Sequence, residues 1–122
     1  MRALATVFLF LFVVLGANAQ RAPVTFVFVK IQDQVRPVER GSKYEDPLDA
    51  ALRSAKLGEV TGGGTMMNQD KSIAYVGVDV NLYDLEKGLP FLIAKLRELG
   101  APRGSTVEYT VQGRKVEQPV HQ

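Results

Sequence analysis

Cysteine and tryptophan are both absent from the 122 residues, and His121 is the only histidine. Without cysteine, this sequence offers no disulfide scaffold, no thiol nucleophile and no residue for an N-terminal lipid. A single histidine excludes a histidine acid–base pair and a histidine-rich metal site. The sequence also lacks an Asn-x-Ser/Thr glycosylation site. In an exported domain these absences favour a bacterial source, because secreted eukaryotic domains of this size often carry disulfides or glycans.

The sequence also contains no cluster of charges of one sign. Fifteen Lys and Arg residues against thirteen Asp and Glu residues give a net charge of +2, and the basic residues are dispersed along the chain. A dispersed, nearly balanced charge argues against a nucleic-acid partner. We expect neither a metal nor an organic cofactor.

The one long apolar run lies at the start of the sequence. An arginine precedes residues 3–15, which are nearly all apolar, and Ala17-Asn18-Ala19 follows as a small-x-small motif. This order predicts a signal peptide over residues 1–19, cleaved between Ala19 and Gln20. A permanent anchor is the alternative, but the run is shorter than the roughly 20 residues of a membrane span. We therefore expect a periplasmic or secreted protein without membrane attachment after cleavage.

Two segments predict the central strands of a sheet. Val24–Ile31 is rich in β-branched and aromatic residues on both faces, as in a strand buried on both sides. Ile73–Leu82 alternates, with aliphatic residues on one face and a mixture of aromatic and polar residues on the other. The mixed face should therefore meet water or a partner.

A helix follows the second of these strands. Apolar residues recur at helical spacing over Leu89–Leu99, and Gly100 provides a stop. Pro90 leaves the start of the helix open. Either Asp84 caps a helix that contains Pro90, or the helix begins near Leu89 with Pro90 at its first position, which we favour.

The remaining segments are weaker. Gln32–Glu45 predicts a long polar loop, and Asp46-Pro47 opens a short helix. Glu59–Asn68 contains three consecutive glycines, which predicts an edge or bulged strand. Thr106–Gln112 predicts a half-buried strand, and residues 113–122 a polar tail.

This order of elements, βαββαβ, predicts an α+β domain over residues 20–112 with a ferredoxin-like fold. The expected sheet has four antiparallel strands in the order 4-1-3-2 and two helices on one face. The segments GEVTGGG and DLEKGLPFLIAKLRELGAP also resemble small bacterial domains of this fold, over about Lys43–Tyr109. The resemblance implies no activity.

Two short motifs invite functional interpretations. Gly62–Thr65 resembles a phosphate loop, but a phosphate loop has the order strand, glycines, helix, and an edge bulge explains these glycines better. Asp79–Asp84 resembles a calcium loop, but its alternation indicates a strand rather than a sharply turning loop.

If the helices cover one face of the sheet, aromatic and polar side chains remain on the other. Exposed aromatic residues on a bare sheet favour a binding module, with either a second copy or an unknown protein as partner, for example an inhibitor or immunity-type factor. The alternative is a small extracytoplasmic enzyme or ligand-binding domain that uses Asp79, Asn81 and Tyr75. The candidate partner-binding residues are Phe26, Phe28, Lys30, Tyr75, Asp79 and Asn81.

Cleavage can be tested directly. Mass spectrometry of the exported protein should find Gln20 as its first residue, because signal peptidase cuts after the small-x-small motif. Detection of Met1 or Arg2 at the N-terminus of the exported form would show that the run is retained.

Overall fold

The computed structural model describes residues 23–122, so the predicted signal peptide and the Ala19–Gln20 bond lie outside the described residues. No helix in this part of the chain is long and apolar enough to cross a membrane. The elements, in order, are β1 (Thr25–Ile31), α1 (Pro37–Arg40), a π-helical turn (Gly41–Glu45), α2 (Asp46–Ser54), β2 (Gly58–Met67), β3 (Ile73–Leu82), α3 (Leu85–Glu98), β4 (Thr106–Val111) and β5 (Arg114–Pro119).

The sheet has five antiparallel strands in the order β2-β3-β1-β4-β5. The prediction of a four-stranded ferredoxin-like sandwich with the order 4-1-3-2 is therefore wrong. The prediction of a polar tail over residues 113–122 is also wrong, because Arg114–Pro119 forms β5 and pairs with β4. Gln112 and Gly113 form the two-residue turn between them, with φ angles of 50° and 77°. Positive φ at both positions is typical of the hairpin turns that match strand twist.

The core lies between the sheet and the helices. Val27 faces Val80 and Val29 faces Val78 across β1 and β3, and all four are fully buried. Among the apolar residues at helical spacing in the predicted helix, Leu92 and Leu96 are fully buried, whereas Leu89 and Ile93 are only partly buried. The buried hydrophobic residues are Val27, Val29, Ile31, Tyr44, Leu48, Leu52, Val76, Val78, Val80, Leu82, Leu92, Leu96, Ala101, Val107 and Val120.

The predicted loop over Gln32–Glu45 is mostly helical. Pro37 takes the first position of α1, where its missing N–H is not needed. Tyr44, in the π-helical turn that joins α1 to α2, is fully buried in the core. The prediction failed because tertiary burial of Tyr44 outweighs the loop preference of a polar segment that contains proline and glycine.

Helix α3 begins at Leu85, four residues before the start that we favoured. The carboxylate of Asp84 accepts a hydrogen bond from the Lys87 N–H at 3.0 Å, and the Asp84 carbonyl accepts one from the Gly88 N–H at 2.7 Å. These bonds fix the first turn, so Pro90 lies inside the helix. The cap therefore decides between the two starts that the sequence left open.

The chain after β5 is fastened to the core. Val120 is fully buried, and its N–H donates to the Ser105 carbonyl at 2.9 Å. Arg97 Nε donates to the Val120 carbonyl at 2.5 Å, and a ring nitrogen of His121 bonds the Ala101 carbonyl at 2.6 Å. The last residues therefore close one end of the core.

Replacement of Val120 by alanine should lower the free energy of unfolding by about 2 kcal/mol, because it removes buried methyl groups and leaves a cavity. Val38 is 85% exposed and offers a matched control, for which the same substitution should change stability by less than about 0.5 kcal/mol. Urea unfolding of both variants measures the difference. Equal effects would show that the end of the chain is not part of the core.

Asp33, Lys43 and Tyr44 form a small polar cluster. The Tyr44 hydroxyl donates to Asp33 Oδ2 at 2.6 Å, and Lys43 Nζ donates to the same oxygen at 2.9 Å. Burial alone would raise the pKa of Asp33, but these hydrogen bonds and one from the Gln34 N–H outweigh it and lower that pKa. Burial, followed by the hydrogen bond to Asp33, raises the pKa of Tyr44 to about 12.

Tyr44 should therefore make stability depend on alkaline pH. Because the folded protein holds the tyrosine proton more tightly than the unfolded chain, this contribution is complete below the ordinary pKa of 10.0. It is lost as the pH rises towards about 12. Tyr44→Phe should flatten this part of the fall in unfolding free energy, measured by denaturant titration at several pH values. An unchanged slope would contradict the assignment.

Candidate functional site

One face of the sheet carries no helix. Leu52 of α2 and Leu92 of α3 share the core with Val78 of β3, so both helices pack on the face of the sheet that carries the buried valines. The segments that could have covered the other side are used elsewhere, since Tyr44 enters the core and β5 extends the sheet. Within residues 23–122 the opposite side, here called the open face, is left without a covering layer.

The structure brings all six predicted site residues onto the open face. Phe26 lies opposite Asn81, Phe28 opposite Asp79, and Lys30 opposite Gly77 across β1 and β3. Tyr75 lies further along β3, opposite Met66 of β2. Phe26 is 52% exposed, whereas the other five are half-buried by their neighbours.

Two contacts order the centre of this face. The Phe28 ring lies over Gly77, because a Cβ atom there would be only 2.6 Å from Phe28 Cε1. Lys30 Nζ lies 4.5 Å from the centroid of the Tyr75 ring, a cation–π contact. Both aromatic rings are therefore held in place before any partner binds.

A shallow apolar depression of about 200 Å³ lies beside Phe28. Its floor is formed by Gly64 and Gly77, which face each other directly across β2 and β3 and have no side chains. We call this depression the glycine slot. Its lining residues are Phe28, Gly64, Thr65, Met66, Tyr75 and Gly77.

A second depression, of about 350 Å³, lies on the other side of the two phenylalanines. Phe26 and Phe28 form one wall, and Glu108, Thr110 and Lys115 of β4 and β5 form another. Lys115 Nζ is 3.0 Å from Glu108 Oε1. The two phenylalanines therefore form a ridge between an apolar slot and a more polar depression.

The three glycines of β2 belong to an edge strand, and the register shifts at Thr61. The edge position predicted for Gly62–Thr65 is confirmed, but the bulge lies at Thr61, and the glycines themselves pair in regular register with β3. The next element after them is β3 and not a helix that could bind phosphate. Gly63 points to the helix side, where a Cβ atom would collide with the Glu45 carboxylate. That carboxylate accepts from Arg40 Nε at 2.6 Å, and Arg40 Nη1 donates to Thr65 at 2.8 Å.

Tyr75, Asp79 and Asn81 do not meet at one point. They lie along a single strand, so Tyr75 and Asp79 are about 13 Å apart at about 3.3 Å per residue. Tyr75 lines the glycine slot, whereas neither Asp79 nor Asn81 does. Among residues 23–122 there is also no group of three or more His, Asp or Glu side chains that could hold a metal ion. The structure therefore does not bring Tyr75 together with Asp79 and Asn81.

Sequence analysis did not identify Gly64, Gly77 or Met66 as site residues. The signal was available in the short connection between β2 and β3, because the register of a hairpin places two glycines opposite each other. A glycine pair leaves a gap on a sheet face, and a gap is not visible in a list of exposed side chains.

The chain matches no protein-family model, no curated protein and no solved structure. No function can be transferred from a relative. The function proposed below is therefore argued from the open face alone.

Proposed function

We propose that this chain is an exported, non-enzymatic binding module that acts through its open face, and that the occupant is a second copy of the chain. The observation that carries this proposal is the aromatic ridge of Phe26 and Phe28, ordered by Gly77 and left uncovered by residues 23–122. Aromatic residues supply much of the binding energy at protein interfaces. Exposed apolar side chains also surround the ridge, including Val24 and Met66.

Charge favours a second copy as the occupant. The open face carries both signs, with Lys30 and Lys115 positive and Asp79, Glu108 and Glu117 negative. A dimer with two-fold symmetry joins the same surface of both subunits, so a face with both signs can pair opposite charges with itself. A face of one sign would repel its own copy.

The size of the face limits the affinity. Five strands at about 4.8 Å spacing and about six residues each give a sheet of about 24 Å by about 20 Å. Two such faces bury on the order of 1,000 Å² in total, which is near the lower limit for a specific interface. We therefore expect a reversible dimer with a dissociation constant in the micromolar range.

A small enzyme or ligand-binding domain that uses Asp79, Asn81 and Tyr75 has less support, because these groups are spread along β3. A different protein partner would use the same ridge. The two occupants differ in whether the purified protein associates with itself.

The double variant Phe28→Ser, Tyr75→Ser should stay folded, because both side chains lie outside the core. Its dimer dissociation constant should rise by at least about thirtyfold, as expected when central aromatic anchors are removed. Sedimentation equilibrium measures the association, and circular dichroism checks the fold. Val38→Ser is the matched control, since Val38 is 85% exposed and lies on α1, away from the open face.

The other outcomes are also informative. If the double variant unfolds, the aromatic residues are required by the core. If it stays folded and still associates, the contact lies elsewhere, and strand addition at the uncovered edge of β2 becomes the next candidate. If the wild-type protein is monomeric at all concentrations but captures another protein through the ridge, that other protein is the occupant and a second copy is not.

A further inference from the structure

We infer that the dimer is locked by reciprocal insertion: Phe26 of each copy enters the glycine slot of the other. This inference rests on the proposed function and specifies how the open face recognises its own copy. It requires a projecting side chain and a matching slot on the same face, at positions that a two-fold rotation can exchange.

The slot fits an aromatic ring. Its volume is about 200 Å³, and a cavity of about 150 Å³ is enough to hold benzene. Phe28, Tyr75 and Met66 supply apolar walls, and the floor of Gly64 and Gly77 carries no side chains; the Phe28 ring already covers Gly77, whereas the space above Gly64 is open. An aromatic ring over paired glycines fills the gap that they leave in a sheet, as the Phe28 ring already does over one side of Gly77.

Phe26 is the side chain placed to enter it. It lies on β1 at the end of the ridge, is 52% exposed, and faces the short polar side chain of Asn81. Phe28 is half-buried, because it is engaged with Gly77. Of the two ridge residues, Phe26 therefore has more surface left to bury against a partner.

The positions satisfy a two-fold rotation. Phe26 and the slot are separated by four residues along the strands, about 13 Å, and by about one and a half strand spacings sideways, about 7 Å. Consider a two-fold axis that lies between the two sheets and parallel to them, and that crosses this line at a right angle at its midpoint, near Phe28. Rotation about this axis exchanges Phe26 with the slot, so both insertions form at once. On a flat projection of the sheet, the same rotation brings Glu108 of one copy close to the partner's Lys30, opposite charges that favour this register.

Gly64 offers a specific test. A Cβ atom at Gly64 would have no neighbour within 4 Å, so a valine side chain there starts in open space and extends into the slot. Valine also suits a strand better than glycine does. Gly62 is the matched control on the same strand and the same face, outside the slot, where a Cβ atom would make an ordinary contact of 3.4 Å with Asp79 Oδ2.

Sedimentation equilibrium of the full mature chain over a concentration series is the measurement. Gly64→Val and Phe26→Ala should each raise the dimer dissociation constant by at least about tenfold, whereas Gly62→Val should change it by less than about threefold. The double variant Phe26→Ala, Gly64→Val should be no weaker than the weaker single variant, since each change removes the same contact.

The results separate this inference from the function on which it rests. If Gly64→Val dimerises like the wild type while Phe28→Ser, Tyr75→Ser does not, reciprocal insertion is wrong and the proposed function stands. If Gly64→Val and Gly62→Val weaken the dimer equally, or if the effects of Phe26→Ala and Gly64→Val add fully, reciprocal insertion is also wrong. If the wild type never self-associates, both proposals fail.

Discussion

Val27 faces Val80 and Val29 faces Val78 across the two central strands, and both surfaces of the sheet depend on this register. A slip of one residue would turn the valines to solvent and would send Phe26 and Phe28 into the helices. Burial of the valine face under α2 and α3 therefore fixes which side chains remain on the open face. The register also places Phe28 next to Gly77, so the same constraint that forms the core orders the ridge.

Local pattern predicted the elements with a strong apolar signal, namely β1, β3 and most of α3. It failed where tertiary contacts decide. The π-helical turn at Gly41–Glu45 forms because Tyr44 is buried, and its own residues do not favour a helix. Strand β5 was missed because Val116 and Pro119 are the only apolar residues of Arg114–Pro119, so this segment lacks an apolar face. Gln112 and Gly113 carry the usable signal for that hairpin, although they fall at the end of the predicted strand and at the start of the predicted tail.

The candidate site was predictable as a set of side chains and unpredictable as a shape. Alternation alone places Phe26, Phe28 and Tyr75 on one face, because successive strand residues point to opposite sides. The gap beside them depends on cross-strand pairing between Gly64 and Gly77, which requires the exact hairpin register. The separation of Tyr75 from Asp79 also follows from strand geometry, and it weakens the enzymatic alternative more than any feature of composition does.

The physical reason for a glycine differs between positions of β2, and the difference bears on function. A glycine inside a strand costs roughly 0.5–1 kcal/mol relative to alanine, so each one in an edge strand calls for a physical reason. Gly63 has one inside the subunit, because the Glu45 carboxylate occupies the space of its side chain. Gly64 has none, since its Cβ position is open and its φ angle is not left-handed. A group from outside the subunit that fills the slot would supply the missing reason, and a partner's aromatic ring matches the slot in size and polarity.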